Sequence, residues 1–181
     1  MKRWEFRLSG SGGQGLITAG IILGEAAVLE DKEVVQSQSY GPEARGGASK
    51  AEVIIDDQKI NYPKVIVPEI LLAMSQEAAN KYGSEIKENG IIVIDSSMVG
   101  DFSSSRARVV SFPITKIAKD EIGKTFVANI IATSILVGIT KVVKFDSLKQ
   151  AVLNRIPKGT EEINLKALQI GWNLAQDVKQ K

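Results

Sequence analysis

Apolar and polar positions alternate through Trp4-Glu5-Phe6-Arg7-Leu8, the pattern of a strand with one face buried. The run meets a glycine cluster, Gly10-Ser11-Gly12-Gly13-Gln14-Gly15, and beyond it the period changes. Leu16, Ile17, Ile21, Ile22, Ala26 and Leu29 recur at helical spacing, which predicts a helix over 14–30 with one broad buried face. Glu33 to Ser39 reads as a second strand and ends in a turn-rich loop, Tyr40-Gly41-Pro42-Glu43-Ala44-Arg45-Gly46-Gly47. Strand, glycine loop, helix, strand and second loop together predict a βαβ unit. Its two loops are expected on one carboxyl edge of a parallel pair.

Ala48 to Ile55 has the pattern of a third strand, and Asp56-Asp57-Gln58-Lys59 turns it back through Ile60–Tyr62 as an antiparallel hairpin. A short strand near Glu69–Met74 and a helix near Gln76–Tyr82 follow. Gly90 introduces Ile91–Asp95, apolar enough for the centre of a doubly covered sheet, and Arg108–Phe112 is a further strand stopped by Pro113. The remainder reads as helical. Ile114–Ile122 ends at Gly123, and Phe126–Ile139 is apolar on almost every face, so it lies in the core or under a partner. Asp146 is placed to cap a helix over 147–155, and Thr160 with Glu161 and Glu162 starts one over 161–178. The expected fold is α/β, a three-layer Rossmann-like domain with a mainly parallel sheet, an antiparallel hairpin and a helical C-terminal part. With no linker or repeat, residues 1–181 are expected to form one domain.

Composition narrows the chemistry. The 181 residues include no Cys and no His. That removes thiol nucleophiles, imidazole bases and the ligands of iron–sulfur clusters and most zinc sites. A net charge of +2 gives no bulk attraction to nucleic acid, although residues 1–90 carry ten basic and thirteen acidic groups and residues 91–181 thirteen and eight. A solvated helical surface explains that asymmetry as well as an acidic partner does. No apolar run follows Lys2-Arg3, and the stretch Phe126–Ile139 is too short to span a bilayer, so no signal peptide or membrane contact is expected and the chain is read as cytoplasmic.

Gly10-x-Gly12-x-x-Gly15 matches the dinucleotide-binding fingerprint in its proper strand-to-helix setting, where small residues admit a phosphate to the amides of a helix start. The second strand, however, ends Gln36-Ser37-Gln38-Ser39, without the acid that would hold a ribose, and Gly15 is followed by Leu16-Ile17, which excludes a P-loop. Tight helix–strand packing is the plain alternative for such a loop. The second loop adds Tyr40, Glu43 and Arg45. Arg45 is suited to a carboxylate or phosphate, or to an ion pair with Glu43 inside the loop.

Gly10–Gly15 before a helix containing Ala19-Gly20, together with Ser39–Gly47 leading into a strand, resembles the gamma subunit of 2-oxoacid:ferredoxin oxidoreductases. Tyr62-Pro63, Ala73–Ala78 and Pro113-Ile114 ahead of the Asn129 helix fit the same pattern, so the resemblance covers nearly the whole chain. The wording Gly41-Pro42-Glu43-Ala44-Arg45-Gly46-Gly47 looks more like the 2-oxoglutarate enzymes than the pyruvate or indolepyruvate ones. The resemblance implies a non-catalytic subunit of a complex that converts a 2-oxoacid and coenzyme A to acyl-CoA, CO2 and reduced ferredoxin. It also implies that thiamine diphosphate and Mg2+ lie on alpha and beta subunits and [4Fe-4S] clusters on a ferredoxin-like delta subunit. On that reading this chain carries no catalytic or metal-binding residue. Gly10, Gly12, Gly13, Gln14, Gly15, Tyr40, Gly41, Pro42, Glu43, Arg45, Gly46 and Gly47 then form a ligand or subunit-docking edge. Asn129 is expected to satisfy a buried backbone group or to reach an interface. An NAD(P)-dependent oxidoreductase and a scaffold subunit without any ligand are the alternatives.

Overall fold

The computed structural model describes residues 3–39 and 48–178. Six strands form one sheet in the order β2-β3-β1-β4-β5-β6: β1 (Trp4–Gly10), β2 (Glu33–Ser39), β3 (Ser49–Asp56), β4 (Ile70–Ala73), β5 (Ile91–Asp95) and β6 (Arg108–Phe112). β1, β4, β5 and β6 are paired in parallel, whereas β3 runs antiparallel to both β1 and β2. The mixed α/β sheet flanked by helices agrees with the expected fold class.

Two pairings differ from expectation. β1 and β2 run in the same direction but do not touch, because β3 lies between them. Burial explains the order. Ala51 to Ile55 are all buried, as befits a strand covered on both faces, while Glu33-Val34-Val35-Gln36-Ser37-Gln38-Ser39 is polar and only partly covered, suited to an edge. The antiparallel hairpin is therefore β2–β3, and Ile60–Tyr62 forms no strand. With both sides of β3 already paired, no strand edge is left for that segment.

Helix α1 (Leu16–Val28) packs over β2 and β3, and α2 (Gln76–Tyr82) covers the other face of the sheet. The expected helix over 114–122 is an α-turn, α3 (Ile114–Ile117), continued by a π-turn over Ala118–Ile122 and closed by Gly123 at φ +78°. A 3-10 turn (Thr125–Val127) leads into α4 (Ala128–Thr140), followed by α5 (Phe145–Arg155) and α6 (Glu161–Gln176). α4 is buried from Ala128 to Gly138, which makes it a core element. It joins Phe6, Leu8, Val53, Ile55, Leu72 and Val93 of the sheet, Leu23 of α1 and Leu168 of α6 in one apolar cluster. Leu71, Ala73, Ile92 and Ile94 point the other way, onto Ala78, Ala79 and Tyr82 of α2.

Two expected caps are also corrected. Lys144, held by Glu30 at 2.6 Å through its backbone N–H, precedes α5, so Asp146 sits inside the first turn and complements the helix dipole there. Thr160 does precede α6, but its hydroxyl donates to the Pro157 carbonyl and accepts from Asn164 in place of capping an amide.

Candidate functional site

The first glycine loop leaves the carboxyl end of β1, beside β4. These strands carry their following helices to opposite faces, which makes the crevice between them the topological switch point of the sheet. Gly10 is buried at the strand end, Gly12 and Gly13 are exposed, and Gln14 and Gly15 are half-buried. Gly13 (φ +87°) and Gly15 (φ +72°) adopt left-handed backbone, where a side chain is strained. Gln14 acts as a clip within this loop. Its Oε1 accepts from the Ser11 N–H at 2.8 Å and its Nε2 donates to the Met74 carbonyl at 2.9 Å, tying the loop to the end of β4. The close approach also explains Gly10, where a Cβ would lie 2.2 Å from Gln14 Oε1.

Gly15 precedes α1 without a side-chain cap, so the first amides of that helix are left to solvent or a ligand. The run Thr125–Thr140 likewise starts without a side-chain cap, at Lys124, and passes from the 3-10 turn into α4 with the Ala128 N–H donating to the Thr125 carbonyl. Residues from both helix starts line one cleft of about 310 Å3, with Gly13 and Gln14 on one side, Thr125, Phe126 and Ala128 on the other, and Met74 and Thr115 between. Two partial positive charges therefore converge there. The start of α3 is different. Buried Asp95 at the end of β5 accepts from the Thr115 N–H at 3.0 Å and from the hydroxyls of Thr115 and Ser97, so its carboxylate already answers that helix end. Phe126, 58% exposed, stands at the rim. Asn129 on α4 donates from Nδ2 to the Gly15 carbonyl at 3.1 Å, which meets the expectation that it serves a buried backbone group.

Tyr40, Gly41, Pro42, Glu43, Arg45, Gly46 and Gly47 lie outside the described residues, as does the alternative of a Glu43–Arg45 pair. The residues bracketing that segment are placed: Ser39 pairs with Lys50 and Gly10 with Ser49, so both loops leave from the same edge of the sheet. Sequence reasoning missed Met74, Thr115, Thr125 and Phe126. The signal available was the lack of Ser, Thr, Asp or Asn immediately before the apolar stretch at Val127-Ala128. It also missed the charged layer on the α2 side of β1. There Arg7, itself buried, pairs with Glu52 at 2.8 Å and Glu85 at 2.6 Å and lies over the Tyr82 ring. Among the described residues no group of three or more His, Cys, Asp or Glu is arranged to hold a metal ion, and no helix is long and apolar enough to cross a membrane.

A family model described as pyruvate ferredoxin/flavodoxin oxidoreductase matches residues 5–174. The 2-oxoglutarate synthase subunit KorC of Methanocaldococcus jannaschii is 49% identical over 179 residues, covering 97% of this chain and 96% of the relative. Among solved structures, a keto/oxoacid ferredoxin oxidoreductase gamma subunit from Geobacter sulfurreducens is 45% identical with a TM-score of 0.87, covering 96% of this chain and 98% of the other. The same fold also forms part of a longer chain. The 2-oxoglutarate:ferredoxin oxidoreductase of Magnetococcus marinus, solved with 2-oxoglutarate, coenzyme A and succinyl-CoA bound, matches all of this chain over 32% of its own at a TM-score of 0.88 and 19% identity. Motif, topology and full-length likeness agree: the chain belongs to the pyruvate ferredoxin/flavodoxin oxidoreductase family, as a counterpart of its gamma subunits.

Proposed function

We propose that the chain is the gamma subunit of a thiamine diphosphate-dependent 2-oxoglutarate:ferredoxin oxidoreductase, which converts 2-oxoglutarate and coenzyme A to succinyl-CoA, CO2 and reduced ferredoxin. The observation that carries the reading is the end-to-end likeness, at 49% identity, to a 2-oxoglutarate synthase subunit of the same length class. The chain's own donor set supports a division of labour. Without Cys or His it does not fit the ligation of a [4Fe-4S] cluster, so the clusters belong to a companion delta chain, with thiamine diphosphate and Mg2+ on alpha and beta chains. The part left to this chain is binding and positioning. Its carboxyl edge, with two uncapped helix starts on one cleft, is a docking and ligand edge facing the catalytic subunits, and a phosphate of coenzyme A is the candidate anion.

The test is reconstitution with the companion chains, followed by 2-oxoacid-dependent reduction of ferredoxin. Omission of this chain is expected to abolish coenzyme A-dependent turnover, and 2-oxoglutarate is expected to be preferred over pyruvate. Arg45→Ala in the same complex is expected to weaken assembly or raise the apparent KM for coenzyme A. Turnover that does not need the chain overturns the reading, and an Arg45→Ala complex unchanged in both respects removes Arg45 from it.

A further inference from the structure

The large apolar side chains left exposed are unevenly placed. Among the described residues, Val28, Leu29, Tyr62, Ile66 and Val67 lie on the amino edge of the sheet, and only Met98 and Phe126 on the carboxyl edge. Val28 and Leu29 close α1 just before β2, and the other three belong to residues 57–69, which join β3 to β4. That connection is longer than its task requires. The end of β3 and the start of β4 flank β1 and stand about 15 Å apart, whereas an extended segment of this length reaches about 40 Å. Residues 57–69 form no helix or strand, yet they are anchored. Val65 is buried, the Tyr62 carbonyl accepts from Arg3 Nη2 at 3.5 Å, and the Pro68 carbonyl accepts from the Lys87 N–H at 2.9 Å. Tyr62 and Ile66, 52% and 67% exposed, are thus presented outward on a fixed main chain. Beside them Trp4, Glu69, Ile70, Lys87 and Ile91 line a cleft of about 250 Å3 beneath β1, β4 and β5. A long irregular connection that is anchored inside and apolar outside has the character of a binding surface.

The two ends of the fold indicate what covers it. Trp4 opens β1 on this edge. At the other end Gln176 closes α6, and its Oε1 accepts from Lys141 Nζ at 3.3 Å. The carbonyl of Val142, next in the chain to Lys141, accepts at 2.5 Å from Nζ of Lys32, the residue before β2. Both ends therefore lie on the amino edge. In the Magnetococcus marinus protein the same fold makes up 32% of a longer chain, so the further polypeptide leaves the fold from this edge, at whichever end it is joined. A covalent link holds two units together at high effective concentration, whereas separate chains must find their affinity in contact, and an apolar surface at the same place provides it. We infer that the amino edge, through Tyr62, Ile66 and Val67, seats the companion subunit that corresponds to the remainder of that longer chain. The inference rests on the reading of this chain as a subunit of such a complex, and it adds to that reading the edge opposite the glycine loops.

The test titrates the full chain into the companion subunit, purified without it, and follows binding and amide hydrogen exchange. In the wild type, exchange over residues 57–69 is expected to slow on binding. Ile66→Asp, and separately Tyr62→Ala, are each expected to lower the affinity about tenfold or more, as truncation of a central apolar anchor does. The urea midpoint of the free chain is expected to hold in both variants, because these side chains already face solvent there. Unchanged affinity in both variants overturns the inference, as does slowed exchange that leaves residues 57–69 out. Sedimentation of the free chain adds a separate outcome: a wild-type dimer that Ile66→Asp turns into monomers makes a second copy of this chain the occupant and overturns the inference. A wild type that does not bind the companion subunit at all overturns the reading of the chain as its partner, and the inference with it.

Discussion

Gly13 and Gly15 both take left-handed backbone, yet their surroundings differ. A Cβ at Gly13 meets nothing within 4 Å, while one at Gly15 meets the Asn129 amide. Gly13→Ala is therefore expected to cost about 1 kcal/mol, the strain of the dihedral alone. Gly15→Ala adds a steric clash and the loss of the Asn129 bond, for about 3 kcal/mol in total, read as a correspondingly lower urea midpoint. Equal midpoints for the two variants would contradict this account. The glycine spacing made the loop legible, and a carboxamide in an otherwise apolar stretch marked Asn129. The same letters did not reveal that Gln14 clips the loop to Met74, because 60 residues separate the partners and no local pattern encodes that bond.

At the scale of elements, helix periods and strand alternation placed nearly every element within two residues. Strand neighbours were a different matter. β3 takes the interior position because its side chains are apolar on both faces, and that competition among strands is settled by burial across the sheet, beyond the reach of local periodicity. Packing of α5 against α1 offers a test of its own. Glu25 on α1 accepts from Asn154 at 2.7 Å and from Arg155 at 2.5 Å, both on α5. Burial alone would raise the Glu25 carboxyl, but the hydrogen bonds from Asn154 and Arg155 and the Arg155 charge outweigh it and hold the group below its ordinary value of 4.5. A carboxylate depressed by folding stabilises the native state above its unfolded pKa, and that contribution fades as pH falls through the lower folded value. The difference in stability between wild type and Glu25→Gln is expected to be fully present at pH 7 and to shrink steadily below about pH 4.5. A difference that stayed constant from pH 7 to pH 3 would remove the carboxylate from the account.

For the whole molecule, the absence of Cys and His removes the side chains that ligate iron–sulfur clusters, and the proposed division of labour is built on that. The chain purified alone, and treated with iron and sulfide under reducing conditions, is expected to show neither the visible absorption nor the paramagnetic signal of a reduced cluster. Incorporation of a cluster in stoichiometric amount would contradict the division of labour proposed here. The resemblance in the glycine loops made the family legible over the full length, whereas the cleft itself was not, because it is assembled from residues near positions 13, 74, 115 and 126 that only the fold brings together.

The interior position of the N-terminal strand has a consequence for biosynthesis. β1 is synthesised before both of its sheet neighbours, β3 and β4, which begin only at Ser49 and Ile70. Phe6 and Leu8 thus have no sheet partner until β3, ending at Asp56, has left the exit tunnel, and they lack β4 until Ala73 follows, while α1 can form earlier but has no β3 to rest on. The apolar faces of β1 and α1 stay uncovered through that interval, which makes it the stage of synthesis at which a chaperone would matter most.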